Sequence, residues 1–468
     1  MLDPSIRTVH FIGIGGSGMS AIAWVVLKRG YRVTGSDLGA NGQTARLAEA
    51  GATIYRGHAA DNLGDPDVVV VSTAIPAHNP ERVAAQERGI PIWQRAKMLA
   101  AIMAGGKSIA IAGAHGKTTT TSVTGLLLQR AGLDPTVLIG GELNDFGGNA
   151  CVGRPDLIVA EADESDGSFL LFTPDVAVVT NVEADHLDHW KNYESLLEGY
   201  AQFLRQIKPG GKAIICADSP GAIEAMQRSG CNAVLYSIAD AANAQWQARN
   251  ISIHANVTRF ECLHNGQSLG EFELSVPGRH NVANALAALA VADEYGISVD
   301  VCRGILPSYH GAGRRWDILG SANGVTIIDD YAHHPTEIAA TLAAARASCN
   351  GSGGRVIAVF QPHRFTRTES LSEQFASAFV SADLAVVTDV YSAGEKPIDG
   401  VNGELIYNGI CRHGSPQTYY VPQLDGVPSF LQEHIRPGDL VLMMGAGDIW
   451  RASRQLLSAL RERTTAVA

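Results

Sequence analysis

The chain has 468 residues, too many for one hydrophobic core, and its length suggests about three domains. Its net charge of −11 excludes a general nucleic-acid binder, which needs a basic face, and its apolar and charged fractions exclude a disordered or fibrous chain. Seven scattered cysteines form no C-x-x-C pair, no run is long enough to span a bilayer, and no charged-then-apolar leader opens the chain; the expectation is a cytoplasmic protein without membrane insertion. Fifty glycines suit an α/β protein with many βα turns.

Thr8 to Ile14 is a short apolar strand that runs into Gly13-Ile14-Gly15-Gly16-Ser17-Gly18 and then into the helical pattern Met19 to Arg29. A second strand, Tyr31 to Thr34, leads to Gly35-Ser36-Asp37, and a third, Val68 to Val71, ends in Ser72-Thr73. This βαβ rhythm predicts a parallel, doubly wound first domain. Gly13, Gly15 and Gly18 satisfy the dinucleotide fingerprint, with Asp37 where a ribose-binding acid stands. An NAD-dependent oxidoreductase is one reading of that turn. Any nucleotide diphosphate is another, because the turn does no more than bring a diphosphate to a helix N-terminus.

Gly105-Gly106 marks a hinge. The buried-strand pattern Lys107 to Ala112 then enters Gly113-Ala114-His115-Gly116-Lys117-Thr118-Thr119 and the helical segment Thr120 to Gln129. Strand, Gly-Lys-Thr turn and helix make a phosphate cradle in which Lys117 reaches the β/γ-phosphates and the Thr118 hydroxyl ligates Mg²⁺. Ile111 stands where the ordinary loop has its first glycine, so the pattern is a shortened Gly-x-x-Gly-Lys-Thr.

Further strands follow at Leu157 to Ala160, Val176 to Thr180 and Ala213 to Cys216, with an alternating, antiparallel patch from about Trp246 to Leu274. Glu161-Ala162-Asp163-Glu164-Ser165-Asp166 comes directly after the first of these and suits a hard cation beside a triphosphate. His186, in Asp185-His186-Leu187-Asp188-His189, stands at the same sheet end. Asn281 opens the Ala-rich helix Val282 to Tyr295, where it is both a natural N-cap and an amide suited to an adenine edge, and Asn284 follows it. A third βα set has strands near Thr326 to Ile328, Val356 to Phe360, Leu384 to Thr388 and Leu440 to Met443. Its strand ends carry Asp329-Asp330-Tyr331-Ala332-His333-His334 and Gln361-Pro362-His363-Arg364-Phe365-Thr366-Arg367, a pattern that suits a carboxylate pocket with Arg364 and Arg367 on one turn.

In this order, and over nearly the whole chain, these motifs resemble the Mur ligases, the enzymes that build the peptide stem of bacterial peptidoglycan. Glu-Ala-Asp-Glu-Ser-Asp, the N-terminal His10 to Gly16 run, Phe360 to Arg367 and Tyr391-Ser392-Ala393-Gly394-Glu395 are similar to the alanine-adding branch. The resemblance implies a Rossmann-like UDP-sugar domain (1–104), a P-loop ATPase-like ATP domain (105–314) and a Rossmann-like amino-acid domain (315–468). It implies ligation of L-alanine to the lactyl carboxylate of UDP-N-acetylmuramate by way of an acyl phosphate, with ATP and two Mg²⁺ sites that Mn²⁺ can also fill, in a monomer or weak homodimer. Another amino acid or a recycled tripeptide is the alternative within the family.

By motif, Gly15, Gly16, Ser17 and Gly18 would hold the diphosphate, with Asp37, Ser72 and Thr73 near the uridine. Gly113 to Thr119 would hold the triphosphate, Thr118 with Glu161 one Mg²⁺, and His186 with Glu161 the other; Asn281 or Asn284 would meet the adenine. Arg315 and Asp330 would reach the ATP, while Tyr331, His333, His363, Arg364 and Arg367 would shape the amino-acid pocket. Lys117, His186, Arg315, Asp330 and His333 are thus the catalytic set. Two departures support the alanine-adding branch. No lysine lies between Asn192 and Ile207 to carry the carbamate that other members use, and the Asp-Asn-Pro-Arg motif of the diaminopimelate-adding branch is absent. Ala114 and Trp316 replace commoner threonine and phenylalanine.

Overall fold

The computed structural model describes residues 2–143, 148–239, 243–349, 353–414 and 416–467. They form an α/β fold carried by three largely parallel sheets. By contact they group into two compact units: Met1–Arg249 with Glu261–Gly270 and Ala283–Tyr309, and Asn250–Phe260 with Glu271–Val282 and His310–Ala468. No helix among the described residues is long and apolar enough to cross a membrane.

The first unit opens with β1 (Thr8–Ile12), α1 (Ser17–Lys28), β2 (Arg32–Asp37), α2 (Gly42–Glu49), β3 (Thr53–Arg56), β4 (Val68–Val71), α3 (Pro80–Glu87), β5 (Ile92–Gln94) and α4 (Arg95–Met103). All pairings are parallel, in the order β3-β2-β1-β4-β5. The four valines of β4 are fully buried, as β-branched residues covered on both faces are. Strand order reverses at β1 and β4, so the turns after them, Gly13–Gly16 and Ser72, open on the crevice where such sheets bind ligands.

The second sheet is built from β6 (Lys107–Ala112), β7 (Pro135–Leu143), β8 (Gly148–Cys151), β9 (Arg154–Glu161), β10 (Val176–Val179), β11 (Lys212–Cys216) and β12 (Ala233–Ser237), in the order β12-β11-β10-β6-β9-β7-β8. Helix α5 (Lys117–Arg130) follows β6. Short α6 (Leu187–Trp190) follows β10, and α7 (Tyr193–Arg205) and α8 (Pro220–Ser229) flank β11. Because β6 pairs with both β9 and β10, their carboxyl ends adjoin, with Ile111 opposite Glu161 and Ala112 opposite Val179. Strands β13 (Trp246–His254), β14 (Val257–His264) and β15 (Gln267–Leu274), joined by two-residue turns, account for the alternating patch.

The second unit holds a sheet of β16 (Asp317–Ala322), β17 (Val325–Asp330), β18 (Val356–Phe360), β19 (Leu384–Val387), β20 (Gln417–Tyr420) and β21 (Leu440–Met444), ordered β16-β17-β21-β18-β19-β20 with only β16 antiparallel. Ile328, Phe360 and Met444 lie in one of its cores, Val359 and Met443 in another.

Several boundaries differ from the sequence reading. Glu161, Asp329 and Asp330 are the last residues of strands rather than members of the turns beyond, held there by ladder pairing with Ile111, Asp317 and Met444; Asp37 ends β2, opposite Arg56, as expected. Asn281 does not cap the Ala-rich helix α9 (Arg279–Glu294). It is the third helical residue, and its side-chain amide donates to the Pro277 carbonyl at 2.7 Å. Gly106 is a close-packing position rather than an open hinge, since a Cβ there would stand 2.6 Å from the Asp156 backbone.

Candidate functional site

Helix α5 starts at Lys117 because Gly116 takes a left-handed conformation (φ 84°), which turns the chain sharply from strand to helix. A side chain at Gly116 would meet Asn284 Oδ1 at 2.5 Å. Asn181, after β10, clamps the loop from the other side: its Oδ1 accepts from the His115 N–H at 2.9 Å and its amide donates to the His115 carbonyl at 3.0 Å. No side chain caps α5, so its first N–H groups stay available to an anion. Lys117 is mostly buried and folds back over this loop, donating to the Gly113 carbonyl at 2.6 Å and to both Glu164 oxygens at 2.9 and 2.8 Å. Burial alone would pull its ammonium pKa down. The carboxylates of Glu164, Asp163 and Glu161 outweigh burial, and the net shift is upward.

Gly16, Ser17, Gly18, Ser72, Lys117 and Glu161, six of the residues proposed from sequence, line one cleft of about 360 Å³, together with Arg95, Gly140 and Asp163. The N-cap of α1, Gly16, offers no side-chain cap, so that helix too presents free donors. Arg95 lies against Gly18 and 3.5 Å from Asp163. Gly15 and Asp37 stand behind the turn: Asp37 Oδ2 accepts from the Gly15 N–H at 2.8 Å, so the acid of the dinucleotide fingerprint holds the turn itself. Thr73 is exposed beside Ser72.

The remaining cradle residues serve the loop or its flank. His115 pairs with Glu183 at 3.3 Å, Ala114 donates to the Asn181 carbonyl, the Thr118 carbonyl accepts from Ser122 and Thr119 is buried. Asn284 Oδ1 accepts from Thr120 at 3.2 Å. His186 has a positive φ of 54° at the start of α6, and Asp185 lies 3.6 Å from its ring. It is not among the residues that line the cleft.

In the second unit, the ends of β17, β18 and β19 gather a cationic and aromatic group. Arg314 and Arg315 both lie 5.1 Å from the Tyr331 ring, and Arg315 approaches Glu337 at 3.5 Å. His333 meets Tyr331 and His363 edge-on, and His363 stacks on Tyr391 at 5.6 Å. Arg364 takes a positive φ of 69° ahead of the short helix Phe365–Ser370, so Arg367 shares its turn, and Glu395 lies 3.9 Å from the Arg364 guanidinium. Burial pushes the His333 imidazole down to about 3 and that of His363 down to about 4, the latter helped by Arg367 and Arg364. Both rings are therefore neutral at pH 7. Asp330 is buried and accepts from the Trp316 and Ala332 N–H groups at 2.9 and 2.8 Å. Its carboxyl pKa is raised by burial, against the pull of Arg315.

Sequence reasoning passed over Glu164 as the partner of Lys117, Asn181 as the clamp of the loop, and Arg95 and Gly140 in the cleft. The apolar run Thr136 to Ile139 was the available signal for β7, which carries Gly140. The partners across strands depend on register and left no local signature.

Three family models match the chain: Mur ligase family, catalytic domain, over residues 8–107; Mur ligase middle domain over 111–292; and Mur ligase, glutamate ligase domain, over 314–447. A UDP-N-acetylmuramate–L-alanine ligase of Pelotomaculum thermopropionicum is 48% identical over 456 residues, covering 97% of this chain and 98% of that protein. One of Syntrophotalea carbinolica is 46% identical, covering 98% and 99%. Among solved structures, the UDP-N-acetylmuramate-alanine ligase of Thermotoga maritima superposes with a TM-score of 0.82 at 29% identity, over 98% of this chain and 100% of that one. A murein peptide ligase of Psychrobacter arcticus gives 0.71 at 26%, over 97% and 99%. With three successive domain models matched and its length shared with these relatives, the chain belongs to the Mur ligase family.

Proposed function

We propose that the protein joins L-alanine to the lactyl carboxylate of UDP-N-acetylmuramate at the expense of ATP, the first peptide-adding step of peptidoglycan precursor synthesis in the cytoplasm. The observation that carries this reading is one cleft in the first unit whose lining includes the glycine turn of α1, Lys117 and Glu161. Relatives at 46–48% identity over nearly full length support alanine as the amino acid. The NAD reading is weakened by Asp37, whose carboxylate is engaged by the Gly15 N–H.

A carboxylate and an ammonium do not form an amide at neutral pH, so the carboxylate must first be activated. The lactyl oxygen attacks the γ-phosphate, ADP leaves, and the acyl phosphate is then attacked by the alanine amine with loss of phosphate and a proton. Lys117 and the uncapped start of α5 offset the charge that would repel the incoming oxygen. The oxygen donors of Glu161 and Asp163 in the cleft, and the Thr118 hydroxyl beside Lys117, suit Mg²⁺, which when bound neutralises triphosphate charge. His186 with Glu161 would hold a second Mg²⁺, for which Mn²⁺ would substitute, and Asn284 or Asn281 would meet the adenine. Arg315, with Asp330 fixing the backbone beside it, is assigned to ATP. Arg364 and Arg367 hold the alanine carboxylate, while Tyr331, His333 and His363 wall the pocket to a small side chain.

The test is ATP-dependent phosphate release with UDP-N-acetylmuramate and, in turn, alanine, serine, glycine and a muropeptide-derived tripeptide. Alanine is expected to give the highest kcat/KM. Preference for the tripeptide would move the chain to peptide recycling, and no release with any of the four would end the ligase reading.

A further inference from the structure

Strands β7 and β8 lie against the first turn of α1, joined to it by polar contacts. Asn149 donates to the Ser17 carbonyl at 2.6 Å and to Ser20 Oγ at 2.8 Å. The Ser17 hydroxyl donates to the Gly140 carbonyl at 2.9 Å. Gly140 in turn donates its own N–H to Glu161 Oε1 at 2.8 Å. A Cβ at this position would stand 2.6 Å from Glu161 Oε2, closer than carbon and oxygen approach. Any larger residue here would therefore push the Glu161 carboxylate away from its present position.

We propose that Gly140 is a positioning residue for the divalent cation: its N–H aims the Glu161 carboxylate, and its carbonyl ties that carboxylate to the turn that receives the UDP-sugar diphosphate. The inference rests on the reading of Glu161 as a metal ligand. A backbone donor holds a carboxylate oxygen without any rotamer freedom of its own, and so fixes the direction in which the carboxylate faces. Both contacts of Gly140 lie in the cleft that contains Lys117, so two hydrogen bonds through one residue join the diphosphate turn to the metal carboxylate. Occupancy of one site is thereby linked to the other, and such coupling is reciprocal.

The experiment is direct Mn²⁺ binding to the full-length protein with a non-hydrolysable ATP analogue, read by electron paramagnetic resonance, with folding checked by thermal melting. Gly140→Ala keeps the N–H but sets a Cβ against Glu161 Oε2, so the carboxylate must leave its aligned position; half-saturating Mn²⁺ is expected to rise by about 10- to 100-fold, the usual cost of disturbing the orientation of a metal ligand. Excess Mn²⁺ then restores kcat, which it does not do for a merely misfolded protein. Ser17→Ala frees the other end of Gly140 and moves Mn²⁺ binding in the same direction by less; it keeps the test open should Gly140→Ala fail to fold. Unchanged Mn²⁺ binding in a folded Gly140→Ala, or in Ser17→Ala if it alone folds, overturns the proposal. Glu161→Gln separates the two levels. If it leaves Mn²⁺ binding intact, the metal role of Glu161 is itself wrong; if it weakens binding while Gly140→Ala does not, only the positioning role fails.

Discussion

Around Lys117, burial and charge pull in opposite directions and charge prevails: three carboxylates keep a mostly buried ammonium protonated. Around His333 and His363 the same contest ends the other way, because burial removes the charge, nearby arginines add to that effect, and the opposing carboxylates of Glu337 and Glu395 do not prevail. One region stores a cation for a polyanion. The other clears protons from its rings and leaves its arginines, Arg364 and Arg367 among them, as its cations, a division suited to holding a carboxylate without a competing imidazolium. Buried polar residues at strand ends thus serve opposite electrostatic purposes, and the sign is set by the neighbours each strand end acquires.

The sharpest break in this contrast comes from Glu164→Ala. It strips Lys117 of both carboxylate oxygens and leaves a mostly buried cation, so urea unfolding is expected to show a loss of about 3–5 kcal/mol. A loss below 1 kcal/mol would mean that Asp163, Glu161 or water replaces Glu164 at no cost. Lys117→Ala tests the same pair from the other side: kcat is expected to fall about 10²- to 10³-fold while UDP-N-acetylmuramate binding survives in calorimetry. Turnover near the wild-type level would remove Lys117 from the phosphate site.

In the second unit, Asp330→Ala leaves the Trp316 and Ala332 N–H groups without their acceptor, for an expected loss of about 2–4 kcal/mol. Asp330→Asn, which keeps one acceptor oxygen, should recover part of it, and equal losses in both variants would point to the charge rather than the bonds. Arg364→Ala is a smaller effect. It should raise the alanine KM about tenfold with the ATP KM unchanged, and parallel changes in both would take Arg364 out of the amino-acid pocket.

What was legible beforehand followed chain locality. Gly116 and Lys117 sit between a buried strand and a helix, so strand, turn and helix could be read in sequence order, and so could Glu161 and His363 near strand ends. The Lys117–Glu164 pair was not legible, because 47 residues separate its members and only the pairing of β6 with β9 brings them together. Gly140 was hidden for the same reason, in a strand whose Gly-Gly step looks like a turn. Asn281 failed differently. Its residue type suits a cap, yet α9 begins two residues earlier and its amide turns back to Pro277 instead.

The smallest expected effect is the pH dependence of the second unit, where the contributions oppose one another. His333, at about 3, and His363 and His280, both at about 4, lie below the ordinary histidine value of 6.5, chiefly through burial. Between those values and 6.5 the unfolded chain binds protons that the folded one refuses. Their stabilisation is complete above pH 6.5 and is lost as pH falls towards 4. Asp329, raised by burial to about 6, and Asp330, also raised, act with the opposite sign: the fold holds their protons, and that stabilisation is lost as pH rises through the folded value. Three histidines against two carboxyls leave a net loss on acidification. The melting temperature should therefore fall from pH 7 to pH 5, and the double variant His333→Gln/His363→Gln should show a shallower slope, with an identical slope indicating that the rings take up protons in the folded state.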